Sequence, residues 1–109
     1  MKNVNIIETN LSFTNLTRRA MTNLIIIHHT GSEVVGDFSA QQIHNVHLNN
    51  GWSGIGYHFV IRKNGNIERG RPINMVGAHA QGMNNKSIGI HLSGEFDLGK
   101  AEPTENQLE

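Results

Sequence analysis

The spacing of apolar and polar positions changes several times along the chain, and each change marks an element. The densest apolar stretch is Leu24-Ile25-Ile26-Ile27, mostly β-branched, which runs into His28-His29 and then the turn residues Thr30-Gly31-Ser32. An unbroken apolar run bounded by turn residues predicts a strand over 24–29 that is buried on both faces. Upstream, Val4 and Ile6 alternate weakly and predict a short N-terminal strand. Leu11 to Thr22, rich in Asn, Thr and Ser and carrying Arg18-Arg19, predicts a surface arm or loop. Downstream, Glu33 to Asp37 reads as a loop. Ser39 then opens a helix as an N-cap, with Gln42 at the capping-box position. Ile43, Val46 and Leu48, with His44 and His47, recur at roughly helical spacing, and Asn49-Asn50-Gly51 ends the helix with a left-handed residue.

The second half reads as turns and strands. Trp52-Ser53-Gly54-Ile55-Gly56 is a glycine-punctuated loop. Tyr57 to Arg62 alternates as a strand, Lys63-Asn64-Gly65-Asn66 is a hairpin turn, and Ile67-Glu68-Arg69-Gly70 returns. Pro72 to Gly82 is irregular. Ser87 to Leu92 is a further apolar strand whose Gly89 marks a bulge or a close backbone approach. Gly94 to Ala101 is a loop. Pro103 to Glu109 has the signature of a helix start, with Thr104 as N-cap and Gln107 at the capping-box position. A helix needs more than one turn to form. The expectation is therefore an N-terminal part of a longer domain, or a natural truncation.

Composition narrows the function classes. A length of 109 residues suits one domain with a modest core. Nine basic and nine acidic residues balance, and no basic run occurs, which argues against nucleic acid and against an anionic membrane surface as partners. The absence of cysteine removes disulfides and thiolate chemistry. The longest apolar run is too short to insert in a membrane, and the first residues hold no apolar run of signal-peptide length. What stands out is seven histidines beside one Trp and one Tyr. Histidine is the commonest metal ligand and titrates near neutral pH, so a metal or acid/base site is indicated without being located.

Four places can carry such chemistry, and a fifth can bind substrate. Side chains alternate along a strand, so only one of His28 and His29 can enter a given pocket at the strand's end, and both can equally be structural. His44 and His47, three apart on the predicted helix, share a face. They can ligate zinc or pack and bond the backbone, and the spacing alone favours the second. Tyr57, following Gly54 and Gly56, can present its hydroxyl to a developing oxyanion or a water, or can simply pack on the sheet. His79, in Gly77-Ala78-His79-Ala80, has small neighbours that leave room to line a groove, and it can also be a surface loop histidine. Asn84-Asn85-Lys86 offers polar groups suited to a sugar or peptide, or forms an ordinary turn. No Walker-type phosphate loop and no Gly-x-Ser-x-Gly elbow is present.

Taken together, the segments resemble one family. Ile25-Ile26-Ile27-His28-His29-Thr30-Gly31-Ser32 is followed by the helix with His44 and His47, and then by Asn50-Gly51-Trp52-Ser53-Gly54-Ile55-Gly56-Tyr57-His58-Phe59. Asn64 to Arg71, Gly77-Ala78-His79 and Asn85-Lys86-Ser87-Ile88-Gly89-Ile90 complete the series. This order, over about residues 24–95, resembles the zinc-dependent N-acetylmuramoyl-L-alanine amidases of type 2, a family that includes phage endolysins, autolysins and peptidoglycan recognition proteins.

The resemblance implies a mixed α/β fold, with a central, mostly β sheet flanked by helices and residues 1–109 forming a single, partial amidase domain. It implies hydrolysis of the amide between N-acetylmuramic acid and the L-alanine of the stem peptide, with zinc (Zn2+) polarising the carbonyl and activating water. His28 corresponds to a zinc ligand, Tyr57 to the catalytic tyrosine, and His79 to a substrate-binding position; Asn85, from its polar side chain, is the further candidate for substrate binding. Trp52 would support the loop carrying Tyr57, and His29 would be the structural member of its pair. The family's remaining zinc ligands, a His and a Cys or Asp after the last long helix, have no counterpart here, so the zinc site, last helix and C-terminal ligand loop are expected to be incomplete. Peptidoglycan is the implied partner. Synthesis without a signal peptide and action on the bacterial cell wall after release are the expected location. The alternatives are a non-catalytic peptidoglycan-binding module, or a truncated domain that functions by self-association across an uncovered apolar face or with a completing segment.

Overall fold

The computed structural model describes residues 5–29, the side chain of His29 excepted, and 37–93. The expected loop over 33–36, the loop over 94–101, the helix start at 103–109 and the orientation of His29 lie outside this description. Five strands form one mixed sheet: β1 (Ile6–Ile7), β2 (Leu24–His29), β3 (Phe59–Ile61), β4 (Ile67–Arg69) and β5 (Ser87–Leu92), in the order β1-β4-β3-β5-β2. Only the β3–β4 hairpin is antiparallel; β1–β4, β3–β5 and β2–β5 are parallel.

The single helix of more than one turn among the described residues is α1 (Ala40–Asn49). Its start is the one the sequence predicts. Ser39 Oγ accepts from the Gln42 amide at 3.1 Å, and Gln42 Oε1 accepts from the Ser39 amide at 2.8 Å, which satisfies two N–H groups that the first turn leaves open. Gly51 follows the helix at φ +86°, a backbone region open to glycine at little steric cost. Glu68 on β4 pins the helix to the sheet. Its Oε1 accepts from the Ala40 amide at 2.8 Å, at the positive end of the helix dipole, and its Oε2 accepts from Arg62 at 3.1 Å.

The sheet's two faces differ. Strand alternation and register put Leu24, Ile26 and His28 on one face with Ser87, Gly89, His91 and Val60. Helix α1 packs there, and Ala40, Ile43, Ile55 and Val60 form a core closed by Leu11, Phe13, Phe38 and Tyr57. The arm over 11–22 thus lies on the surface but contributes Leu11 and Phe13 to the core. The other face carries Ile25, Ile27, Ile88, Ile90, Leu92, Phe59, Ile61, Ile67 and Ile6.

This arrangement corrects one expectation. Residues 24–29 form the predicted strand, but β2 lies at the edge of the sheet and is not buried on both faces. Ile25 and Ile27 are each 65% exposed, because no described element covers the second face beside them. An apolar run shows that a strand is able to bury both faces; neighbours decide whether it does.

Candidate active site

The site forms on the helix-covered face, at the C-terminal ends of the parallel strands β2 and β5, where such sheets place functional side chains. His28 reaches it from β2 and His91 from β5, as register partners on adjacent strands. The loop after α1 brings Tyr57, whose ring centroid lies 5.4 Å from that of His28, 5.0 Å from His91, 5.7 Å from His47 and 6.4 Å from His79. Of the residues marked out in the sequence, His28, Tyr57 and His79 therefore come together. Asn85 sits exposed on the 3-10 turn Asn84–Lys86. Its neighbour Asn84 turns inward, and its Oδ1 accepts from the backbone amides of His79 at 2.8 Å and Ala80 at 2.9 Å, which holds the His79 loop.

Hydrogen bonds set the proton positions. Ser87 Oγ donates to Met83 O at 2.8 Å, so its 3.2 Å contact with His79 Nε2 is one in which the imidazole donates. His79 Nδ1 is then an acceptor, and His28 Nε2, 3.0 Å away, is the donor. Burial and the neighbouring positive charges push the His79 pKa down to about 4, so the ring is neutral at neutral pH, as this assignment requires. Burial raises the Tyr57 pKa, which keeps its phenol protonated and able to donate. Gly89 is a close approach rather than a bulge: β5 keeps unbroken register with β2, and a side chain at Gly89 would collide with the His79 ring.

The other histidines hold backbone. His44 Nδ1 accepts from the Ile55 amide at 3.0 Å, and His47 Nδ1 from the Gly56 amide at 2.9 Å. His58 Nδ1 accepts from Gly89 at 3.0 Å, while its Nε2 lies 2.7 Å from Met75 O. This is the packing role the helix spacing favoured for His44 and His47. Arg71, only 5% exposed, donates to three carbonyl oxygens: Ile55 at 3.0 Å, Val76 at 2.8 Å and Gly54 at 3.3 Å. The sequence reading did not single out Arg71 or His91. Alternation in Ser87–Leu92 places Ser87, Gly89 and His91 on one face and offered a signal for His91. No local pattern marked Arg71.

Two clefts open near the site, and Tyr57 lines the first of them. One, of about 390 Å³, runs along α1 and is lined by Phe38, Gln42, Ile43, Val46, His47, Tyr57 and His91. The other, of about 360 Å³, is lined by Trp52, Ala78, His79, Ala80, Gln81 and Asn84. Trp52 stacks at 4.5 Å on His47, beside the loop that carries Tyr57.

Among the described residues no three His, Cys, Asp or Glu side chains are grouped to hold a metal ion. Zinc sites use three or four protein donors. The described residues offer one at the position the resemblance implies, His28, and its Nε2 is engaged with His79. They do not make a zinc site by themselves.

A mixed sheet with a histidine-lined groove at its strand ends agrees with the family indicated by the sequence motifs. The N-acetylmuramoyl-L-alanine amidase family model matches residues 18–109, and the chain belongs to that family. The endolysin of Klebsiella phage KP32 is 37% identical over 90 residues, covering 83% of this chain and 59% of the phage protein. The peptidoglycan-recognition protein SC2 of Drosophila melanogaster is 40% identical over 78 residues, covering 66% of this chain and 42% of that protein. Among solved structures, the endolysin N-acetylmuramoyl-L-alanine amidase LysCS from Clostridium intestinale superposes with a TM-score of 0.87 at 42% identity, over 95% of this chain and 66% of that one. The chain thus spans less than two thirds of the length of these relatives.

Proposed function

We propose that the chain acts on peptidoglycan as an amidase, cleaving the bond between N-acetylmuramic acid and the L-alanine of the stem peptide, at the bacterial cell wall. The observation that carries this reading is the position of Tyr57. Its protonated phenol stands beside His28, in the wall of the cleft along α1, with its ring 6.4 Å from that of His79, which lines the second cleft. In this reading one arm of the substrate occupies each cleft and the scissile carbonyl lies at Tyr57. The phenol donates to the carbonyl oxygen as negative charge develops on it, the use to which a preorganised neutral donor is best suited. His79, held neutral, and Asn85 on the adjoining turn contact the substrate. His28 is one donor to zinc, whose Lewis acidity requires further donors from outside the described residues.

A second reading is a module that binds peptidoglycan without cutting it. The presence of one zinc donor among the described residues favours it. One experiment separates the two. Purified peptidoglycan is incubated with the 109-residue chain and zinc, and new L-alanine N-termini and new reducing ends are counted. The amidase reading expects L-alanine N-termini alone, lost on chelation and restored by zinc. Sedimentation of the chain with peptidoglycan, with no new termini, establishes the binding module instead. New reducing ends, or neither cleavage nor binding, overturn both.

A further inference from the structure

We infer that His44 and His47 are positioning residues for Tyr57, acting through neutral imidazoles whose Nδ1 atoms accept the two consecutive amides that lead into it. This rests on the amidase reading for its catalytic consequence but not for its structural one. The two rings leave α1 from one face, three residues apart, and meet Ile55 N at 3.0 Å and Gly56 N at 2.9 Å. The carbonyls of the same segment are taken from the other side, where Arg71 holds those of Gly54 and Ile55. The backbone leading into Tyr57 is therefore clamped by acceptors from the helix and by the Arg71 cation just beyond β4.

The clamp has a defined protonation state. Each Nδ1 carries a lone pair, so the single ring proton of the neutral form sits on Nε2. Adding a proton to Nδ1 would turn an acceptor into a donor facing a donor. Gly56 fits the placement: its carbonyl accepts from the Ala78 amide at 3.0 Å, and any side chain there would collide with the Ala78 carbonyl. His47 also packs against the Tyr57 ring, so one side chain sets both backbone and ring.

Substitution at His47 distinguishes positioning from mere packing. In His47→Asn, Oδ1 stands the same number of bonds from Cα as the native Nδ1 and can take its place. In His47→Gln the acceptor is one bond too far. The first measurement is on the unmodified chain: long-range proton–nitrogen correlation spectra should show His44 and His47 as Nε2–H tautomers. The second is hydrogen exchange at the Gly56 amide, expected roughly tenfold faster in His47→Gln and near native in His47→Asn. The third is turnover on peptidoglycan, where His47→Gln should lower kcat by about 100-fold and His47→Asn should recover most of it. An Nδ1–H tautomer at either histidine, or equal Gly56 exchange in both variants, overturns the inference. If the unmodified chain cleaves nothing while the tautomers and exchange are as stated, the amidase reading fails and the clamp stands.

Discussion

His28 Nε2 and His79 Nδ1 lie 3.0 Å apart, although 51 residues separate them in the chain. Because Ser87 directs its hydroxyl to Met83, the proton between the two imidazoles belongs to His28. The histidine that the resemblance makes a zinc ligand is thus held in place by the histidine that it makes a substrate contact. Removing either should disturb the other, so single substitutions at this pair do not act independently.

Tyr57→Phe removes the phenolic donor and leaves the ring among its imidazole neighbours. Loss of one donor to a developing oxyanion typically costs about 100- to 1000-fold in kcat. The expected result is that loss in release of L-alanine N-termini, with an unchanged thermal midpoint. His28→Ala should reduce both turnover and zinc uptake measured by elemental analysis. Full activity in either variant contradicts the assignment.

Stability should fall on the acid side. Burial, with the nearby Arg71 charge, lowers the His47 pKa from 6.5 to about 4 in the folded chain. His58 shifts in the same direction through burial and the charges of Arg19 and Arg71. Between pH 6.5 and 4 the unfolded chain therefore binds more protons at His47 than the folded one. Stability is then level above about pH 6.5, declines as pH falls toward about 4, and the His47 contribution flattens below that. Urea midpoints measured from pH 7.5 to 4 check the sign, and His47→Asn should show a shallower decline.

Arg71→Lys keeps the charge and loses the planar fork that reaches three carbonyls. At least one buried carbonyl is left without its donor, at a cost of about 1–3 kcal/mol. Urea denaturation with an unchanged m-value measures it. A loss below a few tenths of a kcal/mol would show that the fork is dispensable.

The two sheet faces should respond differently to truncation. Val60→Ala, on the covered face, is expected to cost about 1–3 kcal/mol through lost burial and a cavity. Ile27→Ser, at a side chain 65% exposed, should cost less than about 1 kcal/mol. The same Ile27→Ser change tests self-association. If copies of the chain pair through this apolar face, sedimentation should shift from dimer toward monomer in the variant, and a monomeric unmodified chain rules that pairing out.

Local chemistry determined much of what the structure shows. The capping box at Ser39 and Gln42, the glycine after α1, the hairpin over 63–66 and the strands over 24–29 and 87–92 all follow from groups within a few residues of one another. Such interactions are set by sequence spacing and can be read from it. The order of motifs also indicated the family and brought out His28, Tyr57 and His79. Tertiary structure alone decided that β2 is an edge strand, because the exposure of Ile25 and Ile27 depends on which elements pack beside them. It alone set the proton order through Met83, Ser87, His79 and His28, since that order depends on partners brought together from three segments. The roles of Arg71, His44 and His47 arise in the same way: a buried amide or carbonyl must find a partner, and the fold, not the spacing, supplies the nearest one.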